Sequence, residues 1–209
     1  MSGMQITELQ GVFTELAGKY SLDNVAVQRA WRMIETHHTE RGRHYHNLSH
    51  LADIITELQP FKDNYGWDVL LFTTFYHDIM YNVLRHDNEE QSAELAVKEL
   101  SLLGVSEPVI AATKDCILAT KTHETTGNDL IDLFIDADMS IVGRDRETYI
   151  IYAQQVRKEY GIYPDLLYNP GRKRALSHFL KMERIFKTAY FFDKYEVSAR
   201  ANVSFEMAQ

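Results

Sequence analysis

Five of the nine histidines fall between positions 37 and 50: His37, His38, His44, His46 and His50. Histidine titrates near neutral pH and is the commonest metal ligand, so a cluster of this kind points to proton transfer or metal binding. In "RHYHNLSHLADII", His46 and His50 stand four residues apart. On a helix that spacing stacks both rings on one face, about 5–6 Å apart at Cβ. The two rings can then share one ion, or one can ligate while the other moves protons. Further on, "FTTFYHDIMY" sets His77 and Asp78 side by side inside the most apolar stretch of the chain. A buried aspartate without a partner is strongly destabilising, and pairing or metal ligation removes that penalty; a local cap near a helix end is the alternative. "DLFIDADMSIVG" repeats the pattern with Asp136 and Asp138 among Phe134, Ile135, Met139 and Ile141. There the alternative is a solvated pair near a helix end. In chain order, His50, His77–Asp78 and a late aspartate supply two imidazoles and two carboxylates. Such a mixed set suits a divalent first-row metal and leaves positions for water.

The elements that must position these residues read as helices. Apolar residues recur at helical spacing in "MQITELQGVFTELAGKY", "NVAVQRAWRMIETHH" and "SHLADIITELQ", the last ended by Pro60. "DVLLFTTFYHDIMY" is apolar all round, as a central buried helix would be. "NEEQSAELAVKELSLLG" ends at Gly104 as a C-cap, and "SEPVIAATKDCILATKTH" opens with Ser106 and Pro108. Three more candidates are "RETYIIYAQQVRKEYG", "GRKRALSHFLKMERIFKTAYF" and "KYEVSARANVSFEMA". "LIDLFID" is the single strand-like piece, and a helix explains it equally well. No repeat or linker divides the 209 residues. The expectation is one all-α domain, 1–209.

Bulk properties narrow the function classes. The formal charge of −8 gives no support for binding a nucleic-acid polymer or an anionic membrane. No apolar run is long enough for a membrane span. The start "MSGMQITELQ" lacks a secretion signal, and the lone Cys116 fits a reducing compartment, so a cytoplasmic location is expected. Cys116 also lacks basic neighbours and is not a candidate nucleophile.

The pieces "YHNLSHL", "FYHDIMYN", "DNEEQSA", "ILATKTH", "DADMSIVG", "GRKRALSHFL" and "SARANVSFE" resemble the HD superfamily of metal-dependent phosphohydrolases. The likeness is greatest to its small bacterial predicted HD phosphohydrolase group, and it runs nearly end to end. The first piece is also similar to the "YHN-x-x-H" of cyclic-nucleotide phosphodiesterase catalytic domains. The resemblance implies a single-domain helical bundle of the HD type. It implies metal ligation by His50, His77, Asp78 and Asp138, with Asp136 in reserve, and it makes His46 the general acid. His46 and Asp78 are then the catalytic residues. The cofactor implied is one divalent transition metal (Mn, Ni, Co, Zn or Fe) or Mg. His123 and His86 are the candidates for a second metal or the substrate phosphate. Binuclear members need two further histidines between the doublet and the last aspartate, and only these two are on offer. The "HD-x-x-H" spacing of phosphodiesterases is replaced here, with Tyr81 in its last position.

The expected activity is hydrolysis of a phosphoester or phosphoanhydride of a small, nucleotide-like molecule by a metal-activated water. A di-iron oxygenase of the HD type is one alternative, and a nucleotide-binding regulatory module with a structural metal is another. Arg172 and Arg174, after "YNPG", are candidates to hold the substrate phosphate at a helix start or by guanidinium forks. Glu90 is a candidate partner for a ligating histidine; a helix N-terminus capped by Asp87 or Asn88 is the other account of "DNEEQSAE". Arg200 and Asn202 are assigned to packing and capping. His37, His38 and His44 are expected to be exposed, and His178 to be a core residue. The partner is a small phosphorylated molecule, and a homodimer is the expected assembly.

Overall fold

The computed structural model describes residues 4–63 and 66–209; the first three residues of the N-terminal stretch lie outside it. Among the described residues the chain forms ten α-helices and two 3-10 helices, and no strand. It is therefore all-α, and it divides into two compact units, residues 1–135 and 136–209.

The first unit holds α1 (Ile6–Gly18), α2 (Asn24–His38), α3 (Leu48–Leu58), α4 (Trp67–Tyr76), α5 (Asn88–Leu102) and α6 (Glu107–Ala119). α7 (Asp129–Asp138) begins in this unit, and the division falls within it. The stretch that suited strand or helix is thus helical. Leu9, Phe13 and Leu16 of α1 meet Trp31 and Ile34 of α2, and Leu51 and Ile55 of α3, in one continuous core. Phe75 of α4 lies edge-on to Phe13 with ring centroids 5.2 Å apart. Every residue from Val69 to Tyr76 is buried, as a helix apolar all round requires. Its two threonines stay compatible with burial by bonding back along the helix: Thr73 Oγ1 to the Val69 carbonyl at 2.7 Å and Thr74 Oγ1 to that of Leu70 at 2.8 Å. Gly104, at φ +76°, follows α5 in the left-handed region where glycine is least strained. Ser106 makes no side-chain cap, nor does Asp87, which instead pairs with Arg85.

The second unit comprises a 3-10 helix (Met139–Gly143), α8 (Arg146–Glu159), α9 (Asp165–Lys181) and α10 (Ala189–Met207). α10 packs on the 3-10 helix, α9 and α8. α9 begins six residues before the sequence pattern suggested and takes "YNPG" into its interior, with Pro170 inside the helix. Pro164 is its N-cap and Asp165 its first residue. Buried polar residues organise this unit. Glu196 accepts the backbone N–H groups of Ile185 and Phe186 at 3.0 Å, and Arg200 Nε at 2.7 Å. Arg200 then donates to the carbonyls of Leu180, Met182 and Glu183, closing the C-terminal end of α9. Asn202 donates to the Val142 and Arg144 carbonyls and accepts from Arg146. The packing and capping roles expected of Arg200 and Asn202 are these. Replacing Glu196 with alanine leaves two buried N–H donors and a guanidinium without their acceptor. A loss of about 2–4 kcal/mol of stability is expected, read as a lower urea midpoint at unchanged slope.

Candidate functional site

His50, His77 and Asp78 offer three ligand atoms within 4.8 Å of one another, in the first unit. α4 stops at Tyr76, so the doublet leaves the buried helix at its C-terminal end and does not sit inside it. The physical reason lies in the backbone. His77 N–H still bonds to the Thr73 carbonyl at 2.8 Å, but beyond it the chain turns. The exposed carbonyl ends of a helix favour a nearby cation. His77 Nδ1 faces the Thr74 carbonyl at 3.1 Å. A carbonyl only accepts, so Nδ1 carries the ring hydrogen and Nε2 keeps its lone pair. That lone pair points at the site: His77 Nε2 is 3.3 Å from His50 Nε2 and 3.1 Å from Asp78 Oδ2. His50 Nε2 lies 3.9 Å from the same oxygen.

Two of these three separations, 3.1 and 3.3 Å, match those between neighbouring ligands of one metal ion, and the third, 3.9 Å, is wider. Ligand bonds of about 2.0–2.2 Å put neighbouring donors roughly 3.0–3.5 Å apart in tetrahedral or octahedral geometry. Two imidazole nitrogens facing each other at 3.3 Å, one of them left as an acceptor when Nδ1 of its ring donates to Thr74, make a ready pair of ligands. Both histidines are buried, whereas the Asp78 side chain is 20% exposed, which leaves one side open to water or a ligand.

His46 reaches the group by a route other than the one its spacing suggested. α3 starts at Leu48, with Asn47 as N-cap accepting from Ser49 N–H at 2.8 Å. His46 precedes the helix while His50 is in its first turn, so the two are not a helical i, i+4 pair. The "N-L-S" after His46 carried the signal, since asparagine is among the best N-cap residues. The rings still come together, with centroids 5.8 Å apart, and His46 Nε2 lies 3.9 Å from Asp78 Oδ2.

Two residues that contact this group, Arg43 and Tyr81, were assigned no role from the sequence. Arg43, its side chain 3% exposed, donates from Nη1 to the carbonyls of His46 at 3.2 Å and Asp78 at 2.6 Å. Its Nη2 donates to the Ile79 carbonyl at 2.8 Å. One guanidinium thus joins the segment before α3 to the segment after α4. Tyr81 stacks on His46 at 4.3 Å between centroids. His38 also departs from expectation. It is buried, donates from Nδ1 to the Ile34 carbonyl at 2.9 Å, and has its Nε2 buried without a hydrogen-bond partner. Burial, with Arg43 nearby, pushes its pKa down to about 3, so the ring is neutral.

The remaining candidates fall elsewhere. Glu90 pairs with Lys121, whose Nζ also donates to the His86 carbonyl at 2.8 Å. His86 is exposed, and Asn88 ties the chain back to Asn82 through two bonds near 3.0 Å. His123 adopts a left-handed backbone, φ +55°, uncommon outside glycine. Among the described residues, neither His86 nor His123 belongs to a group of three possible ligands. His178 is exposed and not in the core, and burial pushes the Cys116 thiol up to about 12, which suits an inert cysteine.

In the second unit, Asp138 closes α7, half-buried. Asp136 is fully buried, and its carboxylate accepts Lys187 N–H at 2.8 Å, Thr188 N–H at 2.7 Å and Thr188 Oγ1 at 2.7 Å. Burial still outweighs those bonds and holds its pKa above the usual carboxylate range. Asp136 therefore serves the start of α10, not a reserve ligand position. Arg172 sits in the middle of α9, so no helix N-terminus adjoins it. Its guanidinium grips Glu206 through Nε at 2.8 Å and Nη2 at 3.0 Å, and Tyr149 donates to the same carboxylate. The group borders a cavity of about 790 Å³ between α8, α9 and α10. Arg174 is exposed.

Compared with protein-family models, with curated proteins and with solved structures, the chain finds no match. No helix among the described residues is long and apolar enough to cross a membrane.

Asp136→Ala strands three donors, so a loss of about 2–4 kcal/mol is expected in denaturant unfolding. Metal bound per folded chain should stay at the wild-type value, measured by elemental analysis; a fall would return Asp136 to the ligand set.

Proposed function

We propose that this protein is a metal-dependent phosphohydrolase acting on a phosphate ester or anhydride of a small molecule. The observation that carries the proposal is the convergence of His50 Nε2, His77 Nε2 and Asp78 Oδ2, with His46 Nε2 facing the same carboxylate oxygen at 3.9 Å. Three convergent donors beside a proton carrier are what such a reaction needs. The divalent ion held by His50, His77 and Asp78 would draw charge from a phosphoryl oxygen and acidify water bound beside it. Mn, Ni, Co, Zn, Fe or Mg is the ion class that this mixed donor set accepts. Asp138, implied as a fourth ligand by the resemblance, belongs to the second unit, and the proposal rests on the three ligands of the first.

The residues divide the proton work. As the water oxygen bonds to phosphorus, its proton would pass to the other oxygen of the Asp78 carboxylate, Oδ1, since Oδ2 is the one turned to the two histidines. The phosphorus–oxygen bond opposite breaks, and its electron pair stays on the leaving oxygen. His46 Nε2–H gives that oxygen a proton. No covalent enzyme intermediate is required. The Thr74 carbonyl holds His77 in the tautomer that leaves Nε2 a lone pair, and the partial burial of the group restricts water to the open side of Asp78. Arg172 is occupied by Glu206, so phosphate binding by the second unit's basic residues does not form part of the proposal.

Elemental analysis tests the first half. Wild-type protein should hold about one divalent ion per chain, and His77→Gln or Asp78→Ala should reduce this to near zero while keeping helical circular dichroism. Two irons per chain would favour oxygen chemistry instead. For the second half, His46→Ala should retain the metal and lose about 10²–10⁴-fold in hydrolysis of phosphorylated metabolites, with added chelator abolishing the remainder. Full activity in His46→Ala would remove it from the mechanism.

A further inference from the structure

His46 has no helix to hold it. It lies before the N-cap of α3, in a segment whose backbone is irregular from Thr39 to Asn47. A proton donor in such a segment acts on a leaving oxygen only if something fixes its ring. Stacked on the ring, 4.3 Å between centroids and 30° between planes, is Tyr81. Tyr81 follows the metal-binding doublet by three residues, so the surface that holds the imidazole is carried by the same segment as two of the three ligands. The Arg43 guanidinium lies over the Tyr81 ring, its Cζ 5.5 Å from the centroid. The same guanidinium binds the His46 carbonyl at 3.2 Å and the Asp78 carbonyl at 2.6 Å. Backbone and ring of His46 are therefore tied to one short segment, 78–81, by two independent contacts. The ring faces Tyr81, and its Nε2 faces Asp78.

We propose that Tyr81, clamped by Arg43, is a positioning residue that holds His46 for protonating the leaving oxygen, and that the substrate class is accordingly phosphate esters of alcohols. This rests on the phosphohydrolase reading and goes further, because it chooses among leaving groups. An alkoxide is too basic to depart without a proton, so a fixed donor contributes strongly to its expulsion. A phosphate or a nitrophenolate departs readily alone, and for such leaving groups the clamp would add little. A stacked ring removes rotamers of His46 that point Nε2 away from Asp78. Orientation of this kind is worth as much as the chemistry of the donor, since a misplacement of about 1 Å can cost about 10²-fold.

The test compares an alkyl phosphate with 4-nitrophenyl phosphate, both hydrolysed by the full chain loaded with Mn²⁺, Co²⁺ or Zn²⁺. In Tyr81→Ala, kcat on the alkyl ester should fall about 10²-fold while kcat on the nitrophenyl ester stays near the wild-type value. Tyr81→Phe keeps the stacking face and should restore the wild-type ratio of the two. In a His46→Ala background, Tyr81→Ala should have no further effect on the alkyl ester, because the two residues then act as one unit. Metal content measured on each variant should be unchanged. Should Tyr81→Ala melt well below the wild type, Tyr81→Leu keeps apolar bulk without an aromatic face and takes its place. Equal losses on both esters, or additive losses with His46→Ala, would overturn the positioning role and leave the phosphohydrolase reading intact. A wild-type protein that hydrolyses neither ester but cleaves inorganic pyrophosphate with one of the three ions would overturn the substrate class alone, and one that hydrolyses none of the three compounds would overturn both.

Discussion

The hydrogen bond from His77 Nδ1 to the Thr74 carbonyl is a small contact with wide consequences. It exists because α4 ends at Tyr76, so that His77 folds back on a carbonyl of the final turn while its other nitrogen looks outward. The bond removes the ring's ambiguity. With the hydrogen fixed on Nδ1, Nε2 is an acceptor, and it faces His50 and Asp78 across little more than 3 Å. Histidines that bind metals are commonly prepared by such a bond to a main-chain carbonyl. An apolar helix held on all sides by core side chains supplies the rigidity, and its carbonyl end supplies a partial negative charge where a cation is wanted.

Around that helix end the protein uses charge sparingly. Arg43 is nearly enclosed, yet its positive charge is spent on backbone carbonyls, three of which it meets from two chain segments. A guanidinium suits this because its planar fork presents several donors in fixed directions. His38 shows the opposite tactic: burial strips it of charge, and one nitrogen is satisfied by the helix that carries it. The second unit makes the same kinds of bond in a different cause. Asp136, Glu196 and Glu206 accept N–H and O–H donors, and in doing so they fasten helix ends and loops. A buried carboxylate is costly wherever it occurs, and metal ligation is only one of the ways to satisfy it.

That lesson bears on how far residues can be read in one dimension. Helix content followed from apolar spacing almost everywhere, and α2 occupies the very span its pattern gave. The buried nature of α4 was legible because no face of it is polar. His50 stood out by its spacing from His46, and His77 and Asp78 because polar residues in an apolar setting demand partners. Aspartate 136 met that criterion too, and its partners are backbone N–H groups from more than fifty residues away, Lys187 and Thr188. Nothing in "FIDADMS" distinguishes an acceptor waiting for a metal from one waiting for a helix start.

Periodicity, burial tendency and residue chemistry are local properties, and from them the sequence by itself determined an all-α chain and a short set of candidate metal ligands that contains His50, His77 and Asp78. Tertiary structure alone decided the rest. It brought the rings of His46, before the Asn47 cap of α3, and His50, within the helix, together beside Asp78. It buried His38 and exposed His178, since the apolar stripe of a helix tells which side is buried only once its neighbours are in place. It also brought Tyr81 to His46, and Arg43 to Asp78 and Tyr81, across more than thirty residues of chain. Such contacts depend on distances in space between side chains of unremarkable type, and these are fixed only when the helices pack.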